Sequence, residues 1–390
     1  MPDKSFDVLV IGGGIHGAGV AQAVASVGHS VAILEKEGIA SGTSGRSSKL
    51  IHGGLRYLET GQFALVRECL YERSLLLKNA PNLVQLKRFF IPIYKDTKRR
   101  ATTVRAGLAL YYALAGFDRN ASFTTLPHHE WEALGGLSTN GLKTVFQYHE
   151  AQTDDVLLTE AVMRSAQELG ATLHMPALFA GAKFESGTWK IRFDKNGEAY
   201  KIRATVLVNA AGPWANTVLE KIEPEQKAVP VELVQGSHII LEGKIEKGIY
   251  YVEAPRDRRG VFIMPWHGDK TLIGTSETKY KGDPSAVAPL DDEINYLLET
   301  AAHYFPHIRD MRKDNIIGSF AGLRVLPSGG ASLFNRSRET LLHSGNMNIV
   351  TVYGGKLTSY RATGENVMKK IAPHLPTRKA VADTKHLRLG

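Results

Sequence analysis

The sequence predicts an α/β fold: a nucleotide-binding sheet assembled from discontinuous segments, with an inserted α+β unit containing a mostly antiparallel sheet. Three observations predict it. The first is the order strand, glycine turn, helix, strand over Phe6 to Lys36. The second is an apolar run, Val206-Leu207-Val208-Asn209, ending in the small residues Ala210-Ala211-Gly212. The third is Val350 to Tyr353, which runs into Gly354-Gly355 and a closing helix expected over Leu357 to Ile371. The stretches between them carry no further glycine fingerprint. The simplest assembly is one unit from residues 1–82, 151–228 and 317–390, and a second from 83–150 and 229–316.

Composition bounds the answer. At 390 residues the chain is long for one core. With 43% hydrophobic and 22% charged residues it reads as an ordinary globular protein, and no apolar run approaches the roughly 18 residues of a membrane span. Met1-Pro2-Asp3-Lys4 lacks the basic-then-apolar order of a signal peptide. Cys69 is the only cysteine, which excludes a disulfide framework and a thiolate metal cluster. No metal site is expected, since His128-His129 and the other histidines lack partners at ligand spacing. A cytoplasmic, reducing location is expected. The net charge of +9 suits an anionic substrate or an anionic membrane surface, and does not by itself indicate nucleic acid.

Taken in order, Phe6 to Ile11 is a strand and Gly12-Gly13-Gly14-Ile15-His16-Gly17 is a GxGxxG turn opening a helix. Gly12 allows the turn, Gly14 leaves room for a pyrophosphate, and Gly17 lets the helix pack on the strand. Glu35 ends the next strand, where an acid accepts a hydrogen bond from a ribose 2′-OH and repels a 2′-phosphate, arguing against NADP. After Lys36, Gly38 to Ser48 is a small-residue loop whose N–H groups, with Thr43, Ser44 and Ser48, suit a phosphate or ribitol. Lys49, His52, Gly53, Gly54, Arg56 and Tyr57 follow closely.

Gln62 to Asn79 carries helical periodicity, stopped by Pro81. Leu83 to Tyr94 reads as extended, Lys98-Arg99-Arg100 as a basic loop, and Val104 to Ala115 as a short apolar helix. Thr153 to Leu169 is a helix with Thr153 as N-cap and Gly170 as stop. Asn196-Gly197 joins two strands as a hairpin turn. Val229 to Gly282 alternates as short strands, and Asp291 to Tyr304 is an amphipathic helix. The tail after Pro376 is polar and expected to be loosely held.

Three features select FAD over NAD. The loop after Glu35 is longer than a nicotinamide site needs, and Asn209 to Trp214, with Ala211 and Gly212, offers a second backbone approach. Gly354-Gly355 precedes a helix whose positive end suits an anionic reduced flavin. With one thiol in the chain, lying in a helical segment, the FAD is expected to be non-covalent.

The segment from Ser47 to Glu59, Ser-Ser-Lys-Leu-Ile-His-Gly-Gly-Leu-Arg-Tyr-Leu-Glu, resembles the signature of FAD-dependent, quinone-reducing glycerol-3-phosphate dehydrogenases. So do Gln235-Gly236-Ser237-His238, Ile273-Gly274-Thr275, Tyr280 to Pro284, Gly322 to Leu326 and Gly354 to Arg361, in family order. The resemblance implies oxidation of sn-glycerol 3-phosphate to dihydroxyacetone phosphate, with hydride passing from C2 to flavin N5 and electrons to ubiquinone or menaquinone. Family members usually continue into a further helical domain, which this chain is expected to lack; the oligomeric state is left open.

The cationic residues suit such a substrate, because a phosphate dianion needs several fixed donors. Arg56, Tyr57, Arg324, Arg338 and Lys356 are the candidates for binding it, with Arg336 able to serve in place of Arg338. Arg324, Lys356, His52 and His238 are the candidates for catalysis, one histidine taking the hydroxyl proton. The cofactor set that the motifs imply is Gly12, Gly14, Gly17, Glu35, Lys36, Thr43, Ser44, Ser48, Lys49, His52, Gly53, Gly54, Ala211, Gly212, Gly355, Lys356, Leu357 and Thr358. The basic stretch 81–120 with its apolar helix suits peripheral contact with the inner face of the cytoplasmic membrane; the same helix also reads as part of the substrate unit. Two other readings are an oxygen-using flavoprotein acting on a 2-hydroxy acid or amine, against which the arginines argue, and a non-catalytic FAD-binding regulator. No nucleic-acid partner is expected, since basic runs interleaved with aromatics are absent.

Overall fold

The computed structural model describes residues 4–328 and 339–390. In these residues two sheets form, one of nine strands and one of ten. The first has a parallel centre in which Thr172–His174, Val31–Leu34, Lys4–Ile11, Glu198–Asn209 and Ile349–Tyr353 lie side by side. Their residues are apolar with little alternation because both faces are covered, and Val8, Leu9, Val10, Ala32, Ile33 and Val206 to Val208 lose all solvent contact. Helix Ile15–Ser26 is buried along almost its whole length, packed with Asp155–Glu168 and Tyr360–Ile371 in one core with the sheet. Gly17 permits this: a Cβ there would lie 1.9 Å from the Gly12 carbonyl oxygen.

Strands Thr188–Lys195 and Glu198–Asn209 pair antiparallel through Asn196 and Gly197, with φ of 53° and 82°. Positive φ at both positions is the type I′ turn that Asn-Gly predicts.

The second sheet is antiparallel except where Ile249–Glu253 meets Val84–Tyr94. Its two longest pairings join Val231–Glu242 to Ile316–Pro327 and Val84–Tyr94 to Leu142–Thr153. Alternate residues of the strands feed two cores. Phe90, Tyr250 and Ile263 pack with Leu297 and Ala301 of helix Asp291–Tyr304, while Phe89, Phe146 and Ile249 pack with Leu108 and Tyr111 of helix Ala101–Leu114.

Local structure departs from expectation at several points. Asp154, not Thr153, caps its helix, accepting from the Val156 and Leu157 amides. The last helix starts at Tyr360, so a turn separates it from Gly354-Gly355. Leu50–Ile51 and Ile316–Pro327 hydrogen-bond into the second sheet, although the sequence groups both segments with the first. The tail is also tied down. Val381 and Ala382 amides donate to Ser26 O, the Leu389 amide donates to Asn79 O, and the Thr384 hydroxyl lies between Arg361 and Glu365.

Candidate active site

All the parallel strands flanking the first glycine turn deliver their C-terminal ends to one cavity of about 510 Å³. Ile11 leads into Gly12-Gly13-Gly14, Leu34 into Glu35-Lys36, Asn209 into Ala210-Ala211-Gly212, and Tyr353 into Gly354-Gly355-Lys356. The crevice beyond the carboxyl ends of a parallel sheet is where such folds bind ligands. The second sheet forms the opposite wall with His238, Tyr251, Phe262, Thr275 and Gly322 to Val325.

At one end the geometry suits a dinucleotide. Helix Ile15–Ser26 opens on Gly14, whose extended backbone (φ −74°, ψ 177°) aims the helix N-terminus at the cavity. The Ile15 amide donates to Ser44 Oγ at 2.9 Å, which draws the small-residue loop over the turn. Glu35 is buried, and its carboxylate accepts from the Gly13 amide at 2.6 Å and the Glu37 amide at 2.8 Å. A carboxylate has about four lone-pair sites, so capacity for a ribose hydroxyl remains. Lys36 Nζ sits 4.0 Å from the Trp214 ring centroid, and the Thr43 hydroxyl donates to Leu323 O at 2.8 Å, joining the loop to the second sheet.

At the other end two glycines make room for two functional side chains. Arg324 is paired opposite Val234, diagonal to Gly236, and its guanidinium reaches Thr275 Oγ1 at 3.3 Å. A Cβ on Gly236 would stand 2.8 Å from that guanidinium. His238 lies opposite Gly274, whose Cβ would stand 2.0 Å from the imidazole. The ring stacks on Phe320 with centroids 4.7 Å apart, bonds through Nε2 to the Ser48 hydroxyl at 2.9 Å, and keeps a buried Nδ1 without a partner. Tyr57 folds over Gly54, Lys356 Nζ lies 3.7 Å from the Tyr57 ring centroid, and Arg56 is 6.0 Å from the same ring.

Electrostatics keep the histidines neutral. Burial, then the nearby Lys356, Arg56 and Arg73, lower His52 to about 3. Burial, then Arg324 and Lys49, lower His238 to about 3, and burial alone lowers His16 to about 4. A phosphate dianion among these cations would cancel their part of the shift and make the imidazoles better bases. The sign for stability follows. Between the ordinary histidine value near 6.5 and these lowered values, the unfolded chain binds more protons, so stability is full above that window and falls as the pH drops through it. Thermal unfolding between pH 7 and pH 4 should therefore show a declining midpoint, and His238→Asn should flatten part of the decline. A decline of unchanged slope in that variant would show that His238 does not carry the shift.

The cavity brings together Gly12, Gly14, Glu35, Lys36, Thr43, Ser44, Ser48, His52, Gly54, Arg56, Tyr57, Ala211, Gly212, His238, Arg324, Gly355, Lys356, Leu357 and Thr358. Three expected cofactor residues do not line it. Gly17 serves helix packing. Lys49 turns its ammonium to the buried Asp155 carboxylate and to Gly45 O (2.7 Å), securing the loop from behind. Gly53 packs against Tyr111 and Leu70, and its amide donates to Glu150 at 3.3 Å; Glu150 itself is held by Arg73 and the Tyr111 hydroxyl in a buried cluster. Arg338 lies outside the described residues, as does Arg336.

Sequence reasoning missed Arg46, Tyr251, Phe262, Thr275 and the Arg259–Glu277 ion pair as lining groups. Gly274-Thr275 was the one usable signal, a glycine beside a hydroxyl in a strand end.

Residues 7–367 match the family described as FAD dependent oxidoreductase. A glycerol-3-phosphate dehydrogenase of Pseudomonas tolaasii is 37% identical over 374 residues, covering 94% of this chain and 72% of that protein. A D-erythritol 1-phosphate dehydrogenase of Brucella abortus is 37% identical over 384 residues, covering 96% and 75%. Among solved structures, the glycerol-3-phosphate dehydrogenase from Bacillus halodurans complexed with FAD superposes with a TM-score of 0.76 at 28% identity, covering 100% of this chain and 68% of that one.

Proposed function

On the premise that this chain belongs to the FAD-dependent oxidoreductase family and to its glycerol-3-phosphate dehydrogenase branch, we propose that it oxidises sn-glycerol 3-phosphate to dihydroxyacetone phosphate. The observation that carries the reading is the convergence of Arg56, Arg324 and Lys356 on the end of the cavity that also holds His52 and His238. The residues fit FAD: an open helix N-terminus at Gly14, a buried carboxylate at Glu35 and a cradle at Gly354-Gly355, where a Cβ on Gly355 would collide with the His16 ring at 2.2 Å. Bound FAD supplies the acceptor for the hydride that leaves C2. Cys69 is fully buried behind Lys356 and does not line the cavity, which favours non-covalent attachment.

The chain's own groups bind and orient. Arg56 and Lys356 offer the phosphate a guanidinium and an ammonium beside the Tyr57 ring. Arg324, steadied by Thr275, supplies a planar pair of donors for the phosphate or for the negative charge that grows on the C2 oxygen. A neutral His52 or His238 accepts the hydroxyl proton. Tyr251 and Phe262, with ring centroids 4.9 Å apart, give this end an aromatic wall. A reading with D-erythritol 1-phosphate as substrate is favoured by the Brucella relative, since the same phosphate and secondary hydroxyl chemistry would serve. Assay of the purified holoenzyme with a soluble dye acceptor, with identification of the product, tests the proposal. Dihydroxyacetone phosphate is expected, and dye reduction with the erythritol ester alone would overturn it.

We further propose that the electrons pass to a membrane quinone. No described helix is long and apolar enough to cross a bilayer. Helix Ala101–Leu114 buries Val104, Leu108 and Tyr111, while Leu110 and, just beyond the helix, Phe117 are 41% and 66% exposed. Lys98, Arg100, Arg105 and Arg119 are exposed around them, an arrangement suited to an anionic bilayer surface. Arg99 is different, being held by Glu59 and Glu253, and replacing it would disturb the fold. Lys98→Gln with Arg100→Gln should weaken binding to phosphatidylglycerol vesicles and lower quinone reduction, with dye-linked activity unchanged. Unaltered vesicle binding would mean that this face points elsewhere.

A further inference from the structure

Outside the cofactor cavity lies a strongly basic cleft on the second sheet, bordered by Lys87, Arg88, Lys244, Lys247, His149 and Trp266. It is distinct from the active site. Its lining shares no residue with that of the cofactor cavity. Among the described residues, no Asp or Glu lines the cleft. Lys87 Nζ bonds the neutral Gln85 side chain at 2.9 Å, and among the described residues none of the four Lys and Arg groups forms an ion pair. At the rim His267 bonds the Asp154 carboxylate at 3.1 Å. Four like charges around one concavity repel one another, and an anion between them removes that repulsion.

We propose that this cleft is a second binding site, for a soluble phosphate ester, with the lysines and Arg88 holding the phosphate and the half-buried Trp266 indole covering the organic part. A lipid phosphate shares the headgroup chemistry but needs apolar side chains to enter the bilayer. Leu110 and Phe117, two exposed large apolar residues, lie in and just beyond helix Ala101–Leu114, and among the described residues no exposed large apolar residue lines the cleft.

The test uses inorganic pyrophosphate as probe, titrated into the holoenzyme by calorimetry. Arg324→Gln, which cripples the active-site anion position, should leave a pyrophosphate site intact. Lys244→Gln with Lys247→Gln should weaken that site by about ten-fold per lysine, the usual scale for a hydrogen bond to a charged group, with FAD content and unfolding midpoint unchanged. Loss of all binding in Arg324→Gln, or full binding in the double lysine variant, would overturn the proposal. A third arm measures sedimentation with phosphatidylglycerol vesicles. If the double lysine variant loses vesicle binding while pyrophosphate fails to bind the wild type, the cleft is a lipid contact and the proposal of a soluble ester is wrong.

Discussion

Arg324→Ala is expected to keep its full complement of FAD and to reduce it with glycerol 3-phosphate about 10²–10³ times more slowly than the wild type. The size follows from removing one charge-assisted donor at the place where negative charge grows, which typically costs about 2.7–4 kcal/mol in the transition state. Retention of FAD follows from position, because Arg324 sits on the second sheet with Thr275, while the nucleotide turn, Ser44 and Glu35 belong to the other wall. Arg324→Lys should recover only part of the loss, since an ammonium lacks the planar fork. Stopped-flow flavin reduction decides it. A variant with full FAD and a rate within about threefold of the wild type would remove Arg324 from the site, because a lost oxyanion donor costs far more.

Gly14→Val should give a protein without FAD. Gly14 is the N-cap of the first helix and lines the cavity, so the space beside it is where a pyrophosphate would meet the helix amides. A Cβ there already stands 3.0 Å from Ser44 Oγ, and the two methyl groups of valine would also displace the loop that bonds the Ile15 amide. The backbone at Gly14 is extended and tolerates a side chain, so the fold should survive while binding fails. The absorbance ratio of flavin to protein in the purified variant is the readout. Stoichiometric FAD would sink the assignment of this turn to the pyrophosphate.

Much of the nucleotide half was legible because its signals are local. A glycine turn between a strand and a helix, an acid at the next strand end and an Asn-Gly hairpin each depend on neighbours in sequence. What escaped depends on partners far along the chain. Nothing local shows that Lys49 faces Asp155, that Glu150 meets Arg73 and Tyr111 behind Gly53, or that Arg99 is spent on Glu59 and Glu253. The docked tail is a similar case: its residues look polar and free until Ser26, Asn79 and Arg361 supply their partners. The reacting end was half legible. Its arginines and histidines stand beside glycines, but only the register of the second sheet shows that Gly236 makes room for Arg324 and Gly274 for His238.

The central claim is that a phosphorylated secondary alcohol delivers its hydride in this cavity, and an anaerobic spectrum tests it most directly. The oxidised holoenzyme, sealed from oxygen and mixed with sn-glycerol 3-phosphate, should lose its flavin absorbance without any added acceptor. D-Erythritol 1-phosphate at the same concentration should bleach it less, and unphosphorylated glycerol should leave it oxidised. A flavin that stays yellow with glycerol 3-phosphate, or that bleaches as fast with glycerol as with its phosphate ester, would contradict the account.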